Sequence, residues 1–225
     1  MTVLTPIHKI RLNIGSSITI PNLSWLEFEN ILEELGEKRN LRLAYSYKCL
    51  GIMSPSPEHE RIKILISDLV KIILRVQGKS WEALGSTTLK NKMMQAGIEP
   101  DECFYIENYQ AVIGKDRLDL EQDPPPDLAI ESDVTSVTET TAYQSLGIPE
   151  LWVYSKGKLI IYVLQEKEYQ ESSFSPNFPN LTIPEAIPKV IERAKIVGSS
   201  KALGEFENNL RNNKISNLQN LRSQF

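Results

Sequence analysis

Carboxylates offer the clearest chemistry in this chain. Asp127-Leu128-Ala129-Ile130-Glu131 has the alternation of a strand, in which residues two apart point to one face. Asp127, Ala129 and Glu131 therefore share a face, Leu128 and Ile130 share the other, and Asp133 joins the acidic face if the strand runs on. Ionised carboxylates cannot enter a core unless something neutralises them, so that face is either wet or set against a cation. Ala129, small and between the two acids, leaves room for an ion or a substrate phosphate. Asp101, in Glu99-Pro100-Asp101, stands just before a second strand, Cys103 to Ile106. Pairing of the two strands would bring Asp101 close to the acidic face. One or two carboxylates completed by waters and phosphate oxygens is the usual way to hold magnesium. A metal so held polarises a phosphate and lowers the pKa of an attacking water.

Two residues on a long helix bear on the same site. Steps of three and four from Glu58 reach Ile62, Leu65, Leu69, Ile72 and Val76, so Glu58 lies in line with an apolar stripe. It either faces the sheet and adds an oxygen to the metal or merely complements the helix dipole. His59, one step round, is either a base or DNA contact, or a capping and packing residue. Tyr143 and Trp152 read as residues packed under the sheet.

The elements that must position these groups are legible in outline. Ser24-Trp25-Leu26-Glu27 is a capping box, and the helix it opens stops at Gly36. Leu41, Leu43, Tyr45 and Tyr47 alternate as a half-buried strand, and Cys49 to Met53 continues as a second. Ser56 and Pro57 start the long helix as N-cap and first helical residue. Trp81 to Leu89 reads as a strand, Thr135 to Leu146 as a helix ended by Gly147. Leu151 to Tyr154 and Leu159 to Leu164 form a hairpin around Ser155-Lys156-Gly157-Lys158. From Pro184 to about Asn213 the chain is mostly helical, interrupted near Gly198. The order predicts an α/β (α+β) fold, a mixed sheet covered by helices in one domain.

Composition narrows the function. The 225 residues carry a formal charge of −4, which argues against tight non-specific nucleic-acid binding by the whole surface. Thirteen acidic residues lie between Glu99 and Glu150 against Lys115 and Arg117, so acidity concentrates around the candidate site. The basic tail, from Lys189 to Arg222, either touches DNA phosphate or is a solvated helical face. Cys49 and Cys103 are far apart and read as reduced thiols, and with only His8 and His59 a histidine-rich metal site is excluded. No run approaches the roughly 18 apolar residues of a membrane span, and the N-terminus lacks a signal-peptide stretch, so a cytoplasmic protein is expected. No glycine-rich phosphate loop, nucleophile elbow or Cys/His pair supports nucleotide hydrolysis or acyl transfer.

Four blocks occur in a telling order: Met53-Ser54-Pro55-Ser56-Pro57-Glu58-His59-Glu60, Glu99-Pro100-Asp101 before Cys103-Phe104-Tyr105-Ile106, Pro126-Asp127-Leu128-Ala129-Ile130-Glu131, and Leu146-Gly147-Ile148-Pro149-Glu150-Leu151-Trp152. Together they resemble the Uma family of bacterial restriction-endonuclease-type proteins, catalogued as a domain of unknown function, over roughly Ser24 to Ile183. The resemblance implies the restriction-endonuclease-like fold of the PD-(D/E)xK nucleases, a mixed central sheet flanked by helices. It divides the chain into a lead (1–23), that domain (24–183) and a helical C-terminal extension (184–225), packed on the domain or trailing from it.

The resemblance also implies roles. Asp101 matches the first metal-binding acid, Glu131 the second, Asp127 the aspartate that precedes it, and Glu58 the helix glutamate. The expected lysine is missing. Asp133 stands two residues beyond Glu131, and Glu139 stands four before Tyr143, where family members often carry it. His59, Lys90, Lys92 or Lys115 would have to assist instead. The implied activity is a Mg2+ (or Mn2+)-dependent endonuclease, a hydrolase of DNA phosphodiesters, with Asp101, Asp127, Glu131 and Glu58 as its catalytic set. A homodimer is expected by analogy with nucleases that cut both strands. The acidic residues at both lysine positions leave a second expectation, a catalytically silent dimeric binding or regulatory module.

Overall fold

The computed structural model describes residues 7, 10–36, 41–132 and 140–222, with side chains as far as 212. It is a mixed α+β fold of two sheets flanked by helices. Strands β1 (Ser17–Pro21), β2 (Arg42–Ser46), β3 (Cys49–Met53), β5 (Leu89–Asn91) and β6 (Ala96–Ile98) form an antiparallel sheet in the order β1-β3-β2-β6-β5. Strands β4 (Glu82–Ala83), β7 (Glu102–Tyr105), β8 (Leu128–Glu131), β9 (Glu150–Ser155), β10 (Lys158–Gln165) and β11 (Glu168–Ser172) form the second, in the order β11-β10-β9-β8-β7-β4. Among the described strands only β8 and β9 run parallel. Their connection contains α3 (Thr140–Ser145), the described part of the helix expected from Thr135.

The local signals act as expected. In α1 (Trp25–Leu35) the Ser24 hydroxyl accepts the Glu27 amide while the Glu27 carboxylate accepts the Ser24 amide. In α2 (Pro57–Gln77) the Ser56 hydroxyl accepts the His59 amide at 3.2 Å, which fixes His59 in the first turn. The α2 stripe of Ile62, Leu65, Ile66, Leu69, Val70 and Ile73 is buried against Phe104, Leu128, Ile130 and Trp152 of the six-stranded sheet. Each such side chain taken from water contributes about 1.5–3 kcal/mol. Ile183, Ile187 and Ile191 of α4 (Ile183–Val197) join that core, and α5 (Ser199–Arg222) follows. A second core packs Ala129 and Leu151 with Tyr143 of α3 and with Leu89 and Ile98 of the other sheet. Among the described residues no helix is long and apolar enough to cross a membrane.

Two expectations change. Tyr47 does not continue β2. With Lys48 it makes the tight turn into β3, both at positive φ (47° and 60°), the backbone that matches the twist of a two-residue hairpin. The single strand expected from Trp81 to Leu89 is two short strands in different sheets. The chain breaks at Gly85 (φ 59°), crosses from the six-stranded to the five-stranded sheet, and returns through Glu99-Pro100-Asp101. The crossings are bonded to each other, the Ser86 hydroxyl donating to the Asp101 carbonyl at 3.2 Å. Glu99 braces the return, accepting the Leu43 amide (3.1 Å) and the Thr88 hydroxyl (2.8 Å). Asp101 thus sits where the chain changes sheets.

β6 carries no strand signal because its centre is Gly97, a poor strand former. The structure requires glycine there: a Cβ at Gly97 would stand 2.8 Å from Phe28 Cζ. That ring is stacked on Tyr45 at 4.6 Å and cannot retreat. Gly97→Ala is expected to lower stability by about 1–3 kcal/mol, measured by urea unfolding, and Gly97→Ala with Phe28→Leu to recover part of the loss.

Candidate active site

The register of β7 and β8 decides which acids meet. Glu102 lies opposite Ile130 and Phe104 opposite Leu128, in antiparallel sense. Continued by one residue, that register sets Asp101 beside Glu131. Asp127 lies at the other end, its amide donating to the Phe104 carbonyl at 2.9 Å. Four residues of strand, about 13 Å, separate it from Glu131.

Asp101 is fully buried. Its Oδ2 accepts both the amide and the hydroxyl of Ser132, each at 2.7 Å. The His59 Nε2 stands 2.9 Å from the same oxygen, although its N–H is out of line for a hydrogen bond. Oδ1 is buried with no hydrogen-bond partner. Burial alone would raise the Asp101 pKa; the His59 contact and the two Ser132 donations outweigh it and hold the carboxyl below its ordinary value. Glu131, also buried, accepts a short hydrogen bond from the Tyr143 hydroxyl through Oε1. Tyr143 is packed under the sheet, as expected, and orients an acid as well.

Asp127 is held by protein donors. Its Oδ2 accepts the amides of Ile106, Glu107 and Asn108 (2.7, 2.9 and 3.2 Å), and its Oδ1 accepts the Asn108 side-chain amide at 3.0 Å. This is the environment of a structural anion that ties the end of β8 to the turn after β7. Glu58 is exposed in the first turn of α2 and lines a groove with Arg61, Ile191 and Lys195. Its neighbour His59 is the residue that turns inward to Asp101. Lys90 pairs with Glu29 at 3.0 Å, Lys115 with Asp123, and Lys92 follows β5 in the turn. Asp133 and Glu139 lie outside the described residues. Among the described residues no three His, Cys, Asp or Glu side chains converge as a metal-holding group.

Three residues near Asp101 escaped the sequence reading. Ser132 directly follows Glu131 and supplies both hydrogen bonds to Asp101. Lys63, four residues after His59 on α2, gives its Nζ to the Ser86 hydroxyl at 3.0 Å, and that hydroxyl bonds the Asp101 carbonyl. Arg42, on β2, follows from the same sheet crossing. The i to i+4 spacing of His59 and Lys63 was the one signal available.

Asp127→Asn puts an amide among four N–H donors, and is expected to cost about 2–4 kcal/mol of stability, read from the urea midpoint; an unchanged midpoint would show that the nest does not need an anion. Asp101 has a pKa lower in the folded than in the unfolded chain, so unfolding takes up a proton. Its contribution is complete above about pH 5 and is lost as pH falls through the folded value. Stability should therefore decline less steeply on acidification in Asp101→Asn than in the wild type, measured by urea unfolding across that range.

The crystal structure of a "putative nuclease belonging to DUF820" from Anabaena variabilis is similar to this chain at 17% identity and a TM-score of 0.48, over 72% of this chain and 95% of that one. No functionally curated protein matches significantly. The family model for Uma2, described as "Putative restriction endonuclease", matches residues 25–195, from the start of α1 into α4. With most of its length matched, the chain belongs to the Uma2 family.

Proposed function

We propose that this protein is a metal-dependent endonuclease that hydrolyses DNA phosphodiester bonds, with magnesium or manganese held by Asp101 and Glu131. One observation carries the reading: Asp101 Oδ1 is buried without a donor, at the end of the strand ladder that also bears Glu131. A hard carboxylate oxygen left without a hydrogen bond suits a divalent cation, and two acids completed by water and phosphate oxygens suit magnesium. Membership of a family described as "Putative restriction endonuclease" supports DNA as the substrate class.

Bound there, the ion would polarise the phosphate and make water a better nucleophile. The chain's own residues act by position. Ser132 and His59 occupy Oδ2 of Asp101, so Oδ1 is the oxygen left to serve the site. Tyr143 fixes Glu131 Oε1. Asp127 and Glu58 stand apart from this pair, Asp127 as a brace for the turn after β7. A single copy offers one such site and would nick one strand; two copies would be needed to cut both.

The second reading, a catalytically silent module, is favoured by Asp133 and Glu139, which stand at the two positions where the resemblance leads a lysine to be expected. A supercoiled-plasmid assay separates them. Nicking is expected with magnesium or manganese, abolished by EDTA, and slowed roughly 100-fold or more in Glu131→Gln and Asp101→Asn. Nicking that survives EDTA or Glu131→Gln would sink the metal site, and a folded wild type that never nicks would establish the silent reading.

A further inference from the structure

Next to Asp101 two cations flank the Glu60 carboxylate, and one of them reaches the Ser86 hydroxyl. The β2–β6 register pairs Ala44 with Ile98, and continued by two residues it sets Arg42 beside Pro100. Arg42 Nη2 lies 3.7 Å from Glu60 Oε1, beyond hydrogen-bond range, and Arg42 Nε is buried with no acceptor. Lys63, only 13% exposed, donates to the Ser86 hydroxyl at 3.0 Å and weakly to Glu60 Oε2 at 3.4 Å. Ser86 in turn bonds the Asp101 carbonyl.

The unsatisfied atoms of the molecule gather here. Among the described residues six buried side-chain nitrogen or oxygen atoms lack a hydrogen-bond partner, and five belong to Arg42, His59, Glu60 and Asp101. Native proteins keep such atoms few because each is costly. Of the five, Arg42 Nε is a donor that an anion from outside the chain can meet. Arg42 is only 20% exposed and lies too far from Glu60 for a hydrogen bond, so this pair differs from an ordinary surface ion pair.

The donor set names the class of ligand. A guanidinium N–H without an acceptor and a half-buried ammonium favour an anion with several oxygens, and the planar Arg fork and compact Lys charge both suit phosphate. Arg42 and Ser86 also line an open groove of about 1150 Å3 that carries Lys90 and Arg117 as well as carboxylates, among them Glu99 and Asp116. Glu60 is 38% exposed and can swing outward.

We propose that Arg42 and Lys63, the latter positioned by the Ser86 hydroxyl, bind a phosphodiester of the nucleic-acid substrate beside Asp101. In the free protein the Glu60 carboxylate stands in for that phosphate and yields to it. The assignment rests on the nuclease reading and specifies where that substrate is gripped.

The test is binding of a short fluorescein-labelled DNA duplex to the full chain in EDTA, followed by anisotropy over a range of salt. Arg42→Ala and Lys63→Met are expected to weaken binding roughly 10-fold each and to flatten the salt slope by about one unit each. Arg42→Lys should recover part of the loss. Glu60→Gln removes the competing anion and should bind more tightly, a gain that misfolding cannot produce. The proposal is overturned if Glu60→Gln binds no tighter and the cation variants keep wild-type affinity and slope. If those variants also nick plasmid normally, the nuclease reading stands and only the clamp fails; if the wild type neither binds nor nicks DNA, both fail. A melting temperature raised by inorganic phosphate through Arg42 and Lys63, without duplex binding, would overturn the polymer and leave a free-phosphate site.

Discussion

A carboxylate taken out of water must be given hydrogen-bond donors or a cation, and among the described residues six are buried: Glu99, Asp101, Glu102, Asp127, Glu131 and Glu150. Much of the architecture around the sheet junction answers that requirement. Glu102 takes the Ser67 hydroxyl and the Gly85 amide, both at 2.6 Å, and so ties α2 to one sheet crossing. Glu99 ties β2 to the other. Glu150 accepts Trp152 Nε1 and the Asn177 amides; burial nonetheless raises its pKa, with Ser175, Trp152 and Asn177 opposing the shift. Among these six, Asp101 is the acid with an oxygen buried without a donor.

Asp101 depends on three separate pieces of chain. The Pro100-Asp101 crossing places its backbone, Ser132 after β8 grips one oxygen, and the Ser56 cap of α2 sets His59 against the same oxygen. The β7–β8 register then brings Glu131 to that end, where Tyr143 of α3 meets it. Strand, crossing and helix cap must all form before the site exists, so its precision follows from the packing of α2 on the sheet. A loosened α2 would disturb Asp101 before it disturbed Glu131.

Features governed by neighbours a few residues apart were readable in advance. The capping box at Ser24, the Ser56-Pro57 start of α2, the apolar stripe beneath it and the Lys156-Gly157 hairpin all rest on short-range geometry, and all are present. Strands without local contrast were not readable. β6 has glycine at its centre, β1 is a five-residue edge strand, and β4 and β5 belong to different sheets although their residues read as one run. Glu58 and His59 show the limit within a helix: both lie near the stripe, and only the packing of the first turn turns His59 inward and leaves Glu58 outside.

By itself the sequence narrowed the chemistry, because the acids on the Asp127–Glu131 strand left two readings, a wet face or a cation site; the donor-lined setting of Asp127 came from the structure. It determined the family as well, through four ordered blocks that the match over 25–195 bears out. The tertiary structure decided which acid does what. Asp127 and Glu131 look equivalent along one strand, but an antiparallel partner distinguishes the two ends, giving Asp127 the amides of a turn and Glu131 the company of Asp101. The Arg42–Glu60–Lys63 network was equally invisible, since β2, α2 and the Gly85–Thr88 crossing meet only through sheet order, which no local pattern encodes.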